Sequence, residues 1–331
     1  MDRPDKTLLG HEEAQREFIK AWNSGRMHHA WMITGMQGLG KAGFARQAAS
    51  LVLDQSAENE AEPSSLFAET RIGQMLKDPA HTDLVHPAFR SIGRMQDDRG
   101  RMKGRILLDQ IRDLIPFFGM APDHGWRVVI IDALESMTWE ASNALLKMLE
   151  EPPPQCLFLL ISHAPGRLLP TLRSRCRRLI LRPLSESQMR LFLQRLDYPT
   201  DCEDAVLQYA NGCPGRAELF LRLDLAALEK LLDTITPGHQ DAALELVSLL
   251  SPIKESERYE AFLTLALDRV AIHLKQAALE YAQSSGVLAK GLTLYDRART
   301  LAAQATALNL ETRLVILEMA SIVANTSTLR G

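Results

Sequence analysis

The chain has only four cysteines in 331 residues, Cys156, Cys176, Cys202 and Cys213. No two of them have the close spacing of a metal-binding pair, and four in a chain of this length do not make a small-domain disulfide framework. A reducing compartment without structural zinc is the expectation. Positive charge is not in excess either. A formal net charge of −3 excludes a generally basic nucleic-acid binder while leaving room for local anion-binding patches. Long hydrophobic runs are missing as well: no segment approaches a clean membrane span, and MDRPDKTLLGHEEAQ has no uninterrupted apolar stretch of the secretory kind. A cytoplasmic protein is expected. No internal repeat is present.

What is present is an ordinary globular balance, 46% hydrophobic and 24% charged, in a chain long enough for two or three domains. His11 to Trp22 has amphipathic helical spacing, and HHAWMIT, residues 28–34, reads as a short buried strand. Lys41 to Leu53 reads as a helix, and residues 109–118 as another. RVVII, from Arg127 to Ile131, is a buried strand ending at Asp132, followed by a helix that Thr138 caps and EEPPP stops. CLFLLIS, 156–162, and RRLILRPL, 177–184, are further strands. Apolar strands alternating with helices argue for a mainly parallel sheet covered on both faces. QSAENEAEPSS, 55–65, and RMQDDRGRMKGR, 94–105, read as exposed loops flanking an insertion. Ser185 and Gln188 fit a capping box that opens a helical region. From about residue 235, Ala/Leu-rich segments such as 257–283 and 311–325 suggest a separate helical bundle.

TGMQGLGKAG, residues 34–43, follows the first strand and opens a helix. Gly35, Gly38 and Gly40 allow a backbone turn around phosphate, with Lys41 facing the negative charge and the helix terminus adding its dipole. The next position normally carries a hydroxyl for the magnesium that bridges the phosphates, and here it is Ala42. Asp132 occupies the place of the strand-end acid. The residue after it, where a water-positioning carboxylate is expected, is Ala133. Glu135 is either a displaced base or an exposed loop acid, and the latter is expected. His81, Asp83 and His86 are close in sequence but give weak support for a metal, and no metal site is expected.

HHAWMITGMQGLGKAG, VVIIDALESMTWEASNALLKMLEEPPPQCLFLLISHAPGRLLPTLRSRC and GCPGRA together resemble the bacterial clamp-loader branch of the AAA+ proteins. The resemblance covers about 1–230, and the helical remainder is similar to that family's oligomerising collar. It implies an α/β AAA+ phosphate-loop core over 1–184, a small helical lid over 185–230 and an all-α collar over 231–331. It further implies a pentameric assembly with gamma or tau and delta subunits of DNA polymerase III, a component of the DNA-directed DNA polymerase holoenzyme. That assembly places a sliding clamp on primer-template DNA.

With Ala42 and Ala133 lacking the catalytic side chains, the resemblance implies a rigid, non-hydrolytic position in the assembly. This chain then requires no cofactor, and ATP and magnesium belong to neighbouring subunits. Gly35, Gly38, Gly40, Lys41 and Arg216 would form a vestigial site with at most weak nucleotide binding. Ser174, Arg175 and Cys176 match the family's Ser-Arg-Cys motif, which implies that Arg175 acts in trans on a neighbour's ATP. Without the motif, the cluster of Arg173, Arg175, Arg177 and Arg178 reads as a solvated basic strand edge. Arg216 matches the second sensor position, or else makes a salt bridge that fixes the lid. Ser162 and His163 lie at the first sensor, where a structural role is favoured. Two other readings stay open: a catalytically active AAA+ ATPase subunit, and a structural nucleotide-binding protein outside replication.

Overall fold

A computed structural model of the chain describes residues 9–53, 88–96, 102–119, 125–196, 203–223, 225–236, 240–250, 256–281, 285–307 and 310–329. These fall into two compact units, Met1–Tyr198 with Asn211–Gly215, and Pro199–Ala210 with Arg216–Gly331. The 55–65 linker, the His81, Asp83 and His86 group and Cys202 lie outside the described residues.

The first unit is built on a five-stranded parallel sheet. Its strands are β1 (Ala30–Thr34), β2 (Phe89–Gly93), β5 (Arg127–Asp132), β6 (Cys156–Ser162) and β7 (Arg177–Ile180), in the spatial order β2-β5-β6-β1-β7. Alternate residues of the strands feed two cores. Trp31, Ile33, Val128, Ile130, Leu157 and Leu159 face one way, with Phe18 of α1 (Glu12–Asn23) and Phe44 of α2 (Lys41–Leu53). Met32, Val129, Ile131, Phe158 and Leu160 face the other, with Ile111 of α3 (Leu108–Arg112), Phe117 of α4 (Leu114–Gly119) and Leu145 of α5 (Trp139–Glu150). With both faces covered, β1, β5 and β6 have no solvent side, and their sequences are therefore almost uninterrupted apolar runs, whereas the edge strands β2 and β7 expose residues such as Ser91 and Arg178. Full burial of each large apolar side chain contributes about 1.5–3 kcal/mol.

The helix ends follow from local chemistry. Thr138 Oγ1 accepts the Ala141 N–H at 3.2 Å, and Ala141, Leu145 and Leu149 of α5 are all buried. The short helix α6 (Pro170–Ser174) opens on a proline, whose missing N–H is no loss at that position. Ser185 and Gln188 form the reciprocal capping box at the start of α7 (Glu186–Arg195).

Two sequence expectations need correction. The helix over 109–118 is two helices, because Pro116 has no N–H to offer one turn back and its ring crowds the preceding turn. The 94–105 segment is not wholly loop: β3 (Met95–Gln96) pairs antiparallel with β4 (Met102–Lys103).

The described residues of the second unit contain helices and no strand. Beyond α8 (Glu203–Ala210) and α9 (Pro214–Arg222), whose first two residues belong to the first unit, come α10 (Ala226–Thr234), α11 (Gln240–Leu250), α12 (Ser256–Glu280), α13 (Ser285–Ala307) and α14 (Thr312–Ser327). Helices α12, α13 and α14 pack on one another, with Phe262, Ala266, Val270, Ile316, Met319 and Val323 buried. The expected α/β core and all-helical C-terminal region are both present. Among the described residues no helix is long and apolar enough to cross a membrane.

Candidate functional site

In a parallel sheet the loops that follow the strands gather at one edge, and the phosphate-loop residues lie there, after β1. Gly35 has φ +149°, and Gly38 and Gly40 have φ +86°, conformations that favour glycine. A side chain at Gly35 would also strike the Leu181 carbonyl oxygen, with Cβ 2.6 Å away.

The loop is closed on its own chain. Lys41, only 3% exposed, donates from Nζ to the carbonyls of Gly35 at 2.7 Å and Met36 at 2.6 Å. Burial lowers its ammonium to about 8, against the opposing pull of Asp132. His11 Nε2–H donates to Leu39 O at 3.0 Å, and the Gly215 N–H donates to Gly38 O at 2.8 Å. A Cβ on Gly215 would lie 3.0 Å from Gly38 Cα, so GCPG sits backbone to backbone on the phosphate loop. Ala42 packs against the sheet core.

Asp132 is half-buried at the end of β5, and Ala133 is buried behind it. Glu135 is not the exposed loop acid expected from the sequence. It is half-buried, and its Oε1 accepts the Ser162 hydroxyl at 2.5 Å, the His163 N–H at 2.9 Å and the Ala164 N–H at 2.7 Å. Burial pushes its carboxyl up, but Ser162 and the backbone N–H of Ala164 outweigh burial, and the net value lies below the ordinary one. This carboxylate staples the turn after β5 to the end of β6. Its partners are distant in sequence, and no local spacing announced the role.

The basic residues from Arg173 to Arg178 differ in their surroundings. The Arg175 guanidinium donates from Nη1 to Thr171 O at 2.9 Å and pairs through Nη2 with Glu150 at 2.6 Å. Arg177 pairs with Glu17 at 3.0 Å and lies over the Trp31 ring, 4.6 Å from its centroid. Arg178 donates to Thr34 Oγ1 at 3.3 Å, and Arg173 is exposed. The edge is solvated at Arg173, Arg177 and Arg178, and half-buried at Arg175. Burial drives the Cys156 and Cys176 thiols up to about 12, which leaves no thiolate for nucleophilic chemistry near neutral pH.

Arg216, in the second unit, pairs with Asp268 of α12 and stacks 4.6 Å from the centroid of the Tyr209 ring. Nη2 of its guanidinium is thus held within the helical unit, while the buried Nε–H has no hydrogen-bond partner among the described residues. Among the described residues no group of three His, Cys, Asp or Glu side chains is placed to hold a metal ion.

Residues 10–185 match the family described as DNA polymerase III, delta subunit. The chain belongs to that family. It is 32% identical over 197 residues to DNA polymerase III subunit delta' of Pseudomonas aeruginosa, covering 57% of this chain and 55% of the relative. Escherichia coli subunit delta' is 27% identical over 280 residues, covering 83% of this chain and 79% of that protein. DNA polymerase III subunit gamma of Buchnera aphidicola is 26% identical over 215 residues, with 62% of this chain and 54% of the relative covered. The matched region therefore spans about half the length of the Pseudomonas and Buchnera proteins. Gly35, Lys41, Ala42, Asp132, Ala133, Glu150 and Arg175 all lie within the family match.

Proposed function

We propose that this chain is a delta-prime-like subunit of the DNA polymerase III clamp loader, a non-hydrolytic stator that supplies Arg175 to a neighbouring subunit's ATP site. Its partners on this reading are the gamma or tau and delta subunits. Through the assembly it meets the sliding clamp and primer-template DNA. The kinship to delta' and gamma chains supports the assembly.

The single observation that carries the non-hydrolytic part is the pair Ala42 and Ala133 at the phosphate-loop edge. A magnesium-bound nucleotide does not fit this donor set, because Ala42 offers no oxygen to the metal and Ala133 no carboxylate to a water. Lys41 is already held by two loop carbonyls. Nucleotide at Gly35, Gly38, Gly40 and Lys41 would rest on backbone N–H groups and one ammonium, which is a basis for weak binding only. Arg216, committed to Asp268, is assigned a role in holding the helices.

Arg175 brings a fixed positive charge to a chain with no hydrolytic centre of its own. A guanidinium beside a transferred phosphoryl group stabilises the charge that develops there. The test is turnover by purified chain alone and by the complex reconstituted with gamma or tau and delta. The isolated chain is expected to hydrolyse no ATP, and the complex to lose clamp- and DNA-stimulated turnover when Arg175→Ala is incorporated. Turnover by the isolated chain at the rate of a competent loader subunit, abolished by Lys41→Ala, would sink the reading.

A further inference from the structure

We propose that Glu150 is a positioning residue for Arg175, fixing the guanidinium in the orientation in which it meets a neighbour's nucleotide. The proposal rests on the reading of Arg175 as a trans-acting residue. An arginine side chain is long and loses much rotamer freedom when it is ordered, so an unsupported finger would have to be ordered by its target. Here two contacts order it beforehand. Thr171, one turn earlier on α6, takes Nη1 at 2.9 Å, and Glu150 takes Nη2 at 2.6 Å. Neither contact uses Nε–H, which leaves that edge of the guanidinium to an oxyanion.

The two anchors come from different elements. Glu150 is the last residue of α5, a helix fixed to the sheet core by buried Ala141, Leu145 and Leu149. The guanidinium is thereby referenced to the core as well as to its own short helix. The location is also informative. A helix C-terminus carries partial negative charge and disfavours a carboxylate, so Glu150 is poorly placed for α5 itself and is compensated by the cation of Arg175. The two side chains are one-third and one-half exposed, and ion pairs so exposed contribute little to stability. Orientation of Arg175 is the larger effect.

The experiment uses the reconstituted loader with this chain as wild type, Glu150→Ala, Glu150→Gln, Arg175→Ala, and Glu150→Ala with Arg175→Ala. Melting curves of each chain establish folding, and kcat and KM for ATP are measured with clamp and primed DNA. Glu150→Ala is expected to lower kcat about tenfold with KM unchanged, since misplacing a reacting group by a fraction of an ångström acts on turnover. Glu150→Gln, which keeps an acceptor oxygen for Nη2, should recover part of the loss. The double variant should be no slower than Arg175→Ala alone. If Arg175→Ala slows turnover while Glu150→Ala does not, or speeds it, the positioning role is wrong and the finger stands. Multiplying losses in the double variant would also overturn the proposal, because Glu150 would then act independently of Arg175. If Arg175→Ala leaves turnover intact, the finger reading itself fails, and the role of Glu150 fails with it.

Discussion

Glu135 and Ser162 meet at 2.5 Å, carboxylate to hydroxyl, across the gap between the ends of β5 and β6. The same oxygen takes two backbone N–H groups, so its removal leaves a buried hydroxyl and two donors without their acceptor.

Glu135→Ala is therefore expected to destabilise the protein at pH 7 by about 2–4 kcal/mol, since hydrogen bonds to a charged group are among the stronger ones. The sign with pH follows from the depressed carboxyl. Its folded value lies below the ordinary 4.5, so its contribution is present above that value and is lost as pH falls through the folded one. Urea unfolding of wild type and Glu135→Gln should show the wild-type advantage shrinking in acid. An advantage independent of pH would refute the assignment.

Gly215 makes a second prediction. An added Cβ would lie 3.0 Å from Gly38 Cα and 3.2 Å from Gly38 O, both backbone atoms that do not yield easily. Gly215→Ala should cost about 1–3 kcal/mol. At Gly286 nothing lies within 4 Å of the added carbon, and Gly286→Ala should stay within about 1 kcal/mol of wild type or gain stability through helix propensity. Equal urea midpoints for the two variants would show that the close approach does not matter.

Lys41 gives a dependence of the same sense in alkali. Its ammonium is lowered from 10.5 to about 8 by burial, so between those values the unfolded chain binds more protons than the folded one. Stability gained by deprotonation then rises with pH across that window. Relative to Lys41→Met, wild type should gain stability as pH climbs from about 8 toward 10.5. A flat difference in melting temperature between the two proteins would contradict a buried, titrating Lys41.

Strands β1, β5, β6 and β7 and most helix starts were legible because each depends on neighbours in sequence: an apolar run for β6, a threonine for the start of α5, and Ser185 with Gln188 for α7. Strand β2, FRSIG, was not, since Arg90 and Ser91 interrupt its apolar pattern. Pro116 was legible too, but the apolar spacing of 109–118 masked its effect. The contacts that give the site its character depend on folding back. Glu135 meets Ser162 through the pairing of β5 with β6, Arg175 meets Glu150 through the packing of α5 on the sheet, and the Arg216 partner, Asp268, lies on a helix whose sequence shows only that it is Ala/Leu-rich. A charged residue in a loop carries no mark of its eventual partner. For this reason Glu135 looked exposed, and the Ser-Arg-Cys motif that marks Arg175 said nothing of Glu150.

The position of β1 in the sheet sets the order in which this protein can be made. Ala30 pairs with Phe158 on one side and Trp31 with Arg177 on the other, so the first strand has neither neighbour until synthesis has reached β6, which begins at Cys156. At ribosomal speeds of about 5–20 residues per second, the apolar AWMIT segment waits on the order of ten seconds for its partners. During that interval it is an unpaired strand of the kind that invites association between chains. Nascent chains stopped before β6 should therefore be the form most dependent on a chaperone.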